Sequence, residues 1–232
     1  MTINPPQPIL SGPIRERTCM KRLIAALATV LLSVNSMAAL LTPEGTGEKV
    51  EKVTLSTSAT ANVENESLKL TSVGAGLRAK KVVFVNVKVY VGQLFVSSPE
   101  TFKKTDAEAL TSLKDQQAVA IQMHFLRGVD ADNVQKSFKE ALKANGVSSD
   151  EASVKQFLDS VAKGGEAKEG KALTVLGAKL KDGSEAVLYE TTSGNVSEIK
   201  GPAGFIEKIF SIWLGKPSDD GVATLKKSIL KK

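Results

Sequence analysis

An α+β fold, with a large, mostly antiparallel sheet and a helical layer on one face, is predicted by three features of the 232-residue sequence. Two segments, Val82–Val96 and Val119–Leu126, alternate apolar and polar residues as half-buried strands do. A stretch from Ala172 to Lys200 is punctuated by Asp182-Gly183 and Ser193-Gly194-Asn195, which reads as a three-strand meander. Helical stripes lie between these groups and at the end of the chain, with no repeated strand-helix-strand unit.

From Ala39 to about Ser72 the chain is rich in Thr, Ser, Val and Glu, and Val53, Leu55, Val63, Leu68 and Leu70 are spaced as in short strands or loops. Gly74-Ala75-Gly76 reads as a Gly-rich turn before Arg78 and the long strand Val82–Val96. In that strand Val83, Val85, Val87, Val89 and Val91 share one face, while Phe84, Tyr90 and Leu94 share the other with Asn86 and Lys88. Asp106–Lys114 has the composition of a short helix. In the second strand Val119, Ile121, Met123 and Phe125 face one way, and Gln122 and His124 the other.

Asp130 or Asp132 is placed to cap a helix carrying Val134, Phe138 and Leu142, which Asn145-Gly146 ends. Ser148-Ser149-Asp150-Glu151 resembles a capping box for the next helix, with Val154, Phe157, Leu158 and Val161 on its buried stripe. Beyond the meander, Pro202 suits the first turn of a helix bearing Phe205, Ile209, Ile212 and Trp213. Gly215-Lys216-Pro217 breaks that helix, and Ser218 or Asp219 caps a last one with Val222, Leu225 and Ile229.

Residues 1–38 read as a secretory signal peptide and residues 39–232 as a single domain. Lys21-Arg22 precede a twelve-residue apolar run, Leu23–Val34, and Ser36 and Ala38 form an A-x-A-like cleavage signal. The run is short of the roughly 20 residues that span a bilayer, so no transmembrane anchor is expected. Four prolines, at 5, 6, 8 and 13, precede the charged region, which makes Met20 the expected start. Cys19, the one cysteine, lies before the apolar run, so cleavage leaves a chain without thiol chemistry, and a periplasmic or secreted location is expected.

The formal charge of +6 includes Arg15, Arg17, Lys21 and Arg22 against Glu16 within residues 1–38, so the remainder is only mildly basic. Its lysine pairs are scattered and not interleaved with aromatics, which argues against a nucleic-acid partner. A single histidine, His124, rules out a multi-histidine metal site and reads as a strand residue satisfied locally. Gly74-Ala75-Gly76 lacks the third glycine and the following helix of a dinucleotide site, and no phosphate-loop motif occurs. No metal and no cofactor are expected.

The remaining constellation is Arg78 with Tyr90. A guanidinium presents a planar fork to a carboxylate or phenolate, and a tyrosine hydroxyl completes the anion's coordination. By residue type Arg78 reads equally as a structural ion-pair residue and Tyr90 as a core residue with a wet hydroxyl. A straight strand of twelve residues spans roughly 40 Å. The two residues therefore meet only if the chain bends or reverses near Ala79–Val82.

Several segments resemble the chalcone isomerase-like family, and its bacterial exported branch in particular: Gly74-Ala75-Gly76-Leu77-Arg78, Lys88–Val96, Phe125–Asp132, and Ile212–Gly215 followed by Pro217 and Leu225-Lys226. The resemblance covers approximately residues 50–230 and implies an open-faced β-sandwich of the chalcone isomerase type, with a cleft between sheet and helices. In the plant isomerases of the family an arginine holds the substrate anion during ring closure, and Arg78 matches it. Tyr90 stands where those enzymes have threonine, Val134 and Ala141 where they have tyrosine and asparagine, and Ile212-Trp213 replaces a threonine-containing pair. The non-catalytic fatty-acid-binding relatives grip a carboxylate with an arginine-tyrosine pair, which Arg78 and Tyr90 resemble.

The resemblance thus implies an exported, monomeric protein with no catalytic residue, which binds a fatty acid or similar amphiphilic acid on Arg78 and Tyr90. An intramolecular lyase using Arg78, and a ligand-free scaffold or partner-binding domain, are the alternatives.

Overall fold

The computed structural model describes residues 1–3, 39–64 and 66–231. The apolar run, the Met20 start and the cleavage site near Ala38 all lie outside the described residues. Every element below falls within residues 39–231.

Eight strands form one sheet, β1 (Leu41–Glu44), β4 (Ser58–Val63), β5 (Glu66–Val82), β6 (Val85–Val96), β7 (Ala118–Phe125), β8 (Ala172–Lys179), β9 (Glu185–Glu190) and β10 (Val196–Gly201), hydrogen-bonded in that order. Every neighbouring pair is antiparallel. Two short strands, β2 (Lys49–Val50) and β3 (Val53–Thr54), pair separately. Helices α1 (Ala131–Ala144) and α2 (Ala152–Lys163) lie between β7 and β8, and α3 (Phe205–Leu214) and α4 (Asp220–Ile229) follow β10. The expected helix at Asp106–Lys114 is instead a run of turns into a 3-10 segment, Thr111–Asp115.

The sheet curls strongly. Leu40, just before β1, donates its N–H to Glu190 Oε2 on β9 at 3.2 Å, so the two ends of the sheet approach each other. Curling crowds the inner face, and alanines fill much of it: Ala59, Ala61, Ala118, Ala120, Ala178 and Ala186 pack there with Leu41, Leu70, Phe95 and Leu176. The opposite face takes larger side chains, because helices cover it. Ile121, Met123, Phe125, Val175 and Val187 meet Phe138, Phe157, Phe210 and Trp213 in the main core. Burying each such side chain contributes on the order of 1.5–3 kcal/mol.

Val82–Val96 is not one strand. The chain reverses at Val83–Phe84, so Val82 pairs with Val85 in a hairpin, and Phe84 is exposed instead of sharing a buried face with Tyr90. Periodicity failed there because a run of valines carries no turn signal. Nor is Gly74-Ala75-Gly76 a turn: it lies inside β5, paired with Leu94, Gln93 and Gly92. The glycines remove side chains beneath α4. A Cβ on Gly74 would stand 2.0 Å from the Ile229 carbonyl oxygen, and one on Gly76 would stand 2.5 Å from Ser228 Cβ. The capping box at 148–151 is also absent: Ser148 accepts the Asp150 N–H, and Glu151 pairs with Lys208.

Candidate functional site

The hairpin solves the separation between the two candidate residues. Arg78 and Tyr90 are direct cross-strand partners on β5 and β6, next to a register shift between Arg78 and Ala79 that bends the ladder. Both side chains lie on the helix-facing side, where Tyr90 joins the main core and packs on Phe125 with ring centroids 5.5 Å apart.

Arg78 is 6% exposed. Its Nη2 donates to Asp219 Oδ2 at 2.5 Å, and its Nη1 donates to the Ala79 carbonyl. Asp219 is the N-cap of α4, and its Oδ1 accepts the Val222 N–H at 2.9 Å. Close packing of α4 on the glycines of β5 brings this cap over Arg78. Gly221 completes the fit, since a Cβ there would lie 2.0 Å from Arg78 Nη1. A guanidinium carries five N–H groups, and these two bonds leave others to offer.

Tyr90 Oη accepts the Trp213 Nε1–H at 3.2 Å. Burial pushes its phenol up to about 12, against the opposing pull of Arg78 and the Trp213 hydrogen bond. The hydroxyl therefore keeps its proton at physiological pH and can donate it. Trp213 is itself fixed by edge packing on Phe138, with centroids 5.3 Å apart, and by Phe210 at 5.8 Å.

Arg78 and Tyr90 line a cavity of about 310 Å³ between sheet and helices. Met123 and Phe125 come from β7, Val134, Phe138 and Ala141 from α1, and Ile212 from α3. Asp219 and Val222 close the α4 side, and Lys80, Val82 and Val87 of the hairpin lie along another wall. The volume is within the range of small-molecule sites, roughly 300–1,000 Å³. Val134, Ala141 and Ile212 present apolar side chains to it, and Arg127, Asp130, Asn133 and Ser137 present polar ones.

The profile of the family described as chalcone isomerase-like matches residues 47–231. The chain belongs to the chalcone isomerase-like family. A solved structure with the same fold is a fatty-acid binding protein of Arabidopsis thaliana, which superposes with a TM-score of 0.50 at 14% identity, covering 74% of this chain and 95% of the other. No curated protein matches the sequence. Curled antiparallel sheet and helical layer are those of an open-faced, chalcone isomerase-type α+β fold.

Sequence reasoning singled out Arg78 and Tyr90, and the fold brings them together. It missed the pairing of Asp219 with Arg78, which joins residues 141 apart in the chain. Only the capping role of Asp219 was readable. It also missed Asn133 and Ser137, polar α1 residues lining the cavity, because a helix-facing cavity leaves no mark on the stripe pattern. His124 sits on the face of β7 away from this cleft, opposite Val91, and partial burial lowers its pKa from the ordinary histidine value. Among the described residues, no group of three or more His, Cys, Asp and Glu is arranged to hold a metal ion.

Proposed function

We propose that this chalcone isomerase-like protein is a non-catalytic carrier of a long-chain fatty acid or similar amphiphilic carboxylate, acting outside the cytoplasm after residues 1–38 direct its export. The observation that carries the reading is a buried guanidinium, 6% exposed, standing in a cleft with apolar and polar walls beside a tyrosine hydroxyl free to donate. An ionised carboxylate accepts both kinds of donor, and charge-assisted bonds of this kind are roughly twice as strong as neutral ones. The tail packs against Met123, Phe125, Val134 and Phe138, the apolar part of the lining.

A carrier is favoured over an intramolecular lyase by three apolar residues that line the cleft. Val134, Ala141 and Ile212 offer no donor to a developing oxyanion, which leaves Asn133 and Ser137 as the polar donors of α1, and loss of one donor typically costs 10²- to 10³-fold in rate. The Arabidopsis neighbour is a fatty-acid binding protein, which agrees with an acid ligand, and at 14% identity the likeness itself concerns the fold.

Titration calorimetry of the delipidated protein with palmitate and with hexadecanol tests the reading. Palmitate is expected to bind at least tenfold tighter than the alcohol, with the preference lost in Arg78→Gln. Equal affinity for acid and alcohol would overturn it. Export is checked by sequencing the N-terminus of the protein recovered from outside the cytoplasm, where Ala39 is the expected first residue. An uncleaved chain retained in the cytoplasm would contradict it.

A further inference from the structure

Beyond the Arg78–Tyr90 pair the hairpin leaves the sheet. β7 pairs with β6 only from Tyr90 onward, and β4 pairs with β5 only as far as Thr71. Beyond the Leu126 N–H to Val89 carbonyl bond and the Lys88–Glu51 ion pair at its base, Lys80–Val87 is a two-stranded arm with no third strand. Its tip is apolar and bare: Val82, Val83, Phe84 and Val85 are 50%, 76%, 92% and 63% exposed. From Ala39 onward these four are the exposed large hydrophobic residues among the described ones.

The turn is also conformationally costly. Val83 has φ of 55°, a left-handed backbone that β-branched residues rarely adopt. With positive φ at the first central residue alone, a two-residue hairpin loop favours Gly there, whereas this chain has Val83 followed by Phe84. An unpaired apolar tip in water also invites aggregation. Both costs are explained if the tip works in an apolar medium.

Charge identifies that medium. Lys80, Lys81 and Lys88 surround the base of the arm, and Lys80 and Lys81 are exposed and form no ion pair among the described residues. At about 3.3 Å per residue they stand roughly 7–10 Å behind Val83. That spacing matches the 5–10 Å depth of an interfacial apolar face, with lysines left at the headgroups. Four side chains fall far short of the 20–30 residues per partner of a stable protein interface.

We propose that the Val82–Val85 tip inserts into the surface of an anionic phospholipid bilayer, with Lys80 and Lys81 on the headgroups. Lys80, Val82 and Val87 also line the cleft, so docking sets the cleft's mouth against the lipid. The surface rests on the arm's own residues and stands whether or not the cleft holds an acid.

The test places a reporter at the tip of the full chain. In Phe84→Trp, the introduced indole is expected to shift to the blue and to be quenched by brominated lipid, with vesicles of 70% phosphatidylcholine and 30% phosphatidylglycerol. Emission that stays at the position of water-exposed tryptophan overturns the proposal, including the case where the tip serves a protein partner. The double variant Val83→Gly with Phe84→Ser suits the turn better. It is expected to raise the urea midpoint while lowering vesicle partitioning at least tenfold. Unchanged partitioning overturns the proposal. Lys80→Gln with Lys81→Gln is expected to weaken partitioning by about fivefold per lysine removed. Equal binding of wild type to pure phosphatidylcholine and to the mixed vesicles would refute the anionic surface.

Discussion

Asp219 places Oδ2 2.5 Å from Nη2 of Arg78 while its Oδ1 accepts the Val222 N–H, so one carboxylate both caps α4 and neutralises the buried guanidinium. The protein supplies its own anion to the group proposed to take a ligand's. The Asp219 side chain is 42% exposed and that of Arg78 only 7%, so the aspartate is the more easily displaced partner.

Asp219→Asn separates its two roles, because asparagine caps helices as well as aspartate does. Breaking a fully buried pair costs about 3–5 kcal/mol, and the exposure of Asp219 reduces this to about 1–2 kcal/mol. Unfolding in urea should show that loss. Palmitate should restore the stability and bind about tenfold tighter than to wild type, since it no longer competes with a resident carboxylate. Unaltered or weaker binding by the variant would speak against competition at Arg78.

Tyr90→Phe removes the hydroxyl that accepts from Trp213 and is proposed to donate to the ligand. A hydrogen bond to a charged group contributes about 1.5–3 kcal/mol, so palmitate should weaken by at least tenfold. With the phenol pushed up to about 12, wild-type affinity should show no tyrosine titration between pH 7 and 10. A break in the affinity profile within that range would show that Tyr90 ionises there.

Gly74→Ala tests the seating of α4. The new Cβ would stand 2.0 Å from the Ile229 carbonyl oxygen, a backbone atom with no rotamer to yield. Overpacking of this kind costs about 1–3 kcal/mol. Lifting the helix should also loosen Asp219 from Arg78, so a lower urea midpoint should accompany altered palmitate affinity. A variant as stable as wild type would mean that the glycines do not set the helix distance.

Most of the fold was legible because local patterns report it: the α1, α2, α3 and α4 stripes, the Asp182-Gly183 turn and the placement of Gln122 and His124 on the face of β7 opposite Ile121 and Met123 all stand as read. The hairpin tip was hidden because Val-Phe has no turn signature, and the glycines of β5 looked like a turn because their purpose lies in a helix about 150 residues away. Arg78 and Tyr90 were legible as residue types. Their direct opposition and the Asp219 cap depend on tertiary contacts, which no local window contains.

Glu190 carries the clearest pH prediction. Burial raises its pKa, with the hydrogen bonds from the Leu40 N–H and Thr174 pulling partly back. The folded state thus holds this proton more tightly than the unfolded chain does, and unfolding free energy falls as pH rises from the ordinary glutamate value through the raised one. Glu190→Gln keeps an acceptor for Leu40 and removes the titration. Relative to wild type it should gain stability across that window and hold a constant advantage above it. Parallel stability curves from pH 4 to 8 would exclude the effect.

The central claim is that Arg78 holds an ionised carboxylate inside the cleft, and carbon-13 NMR of carboxyl-labelled palmitate reads that group itself. The account predicts a bound resonance that stays at its ionised position about 1–3 pH units below the titration of the free acid, as expected beside a guanidinium, and loses that plateau in Arg78→Gln. A bound carboxyl that titrates like the free acid, or identically in both proteins, would contradict it.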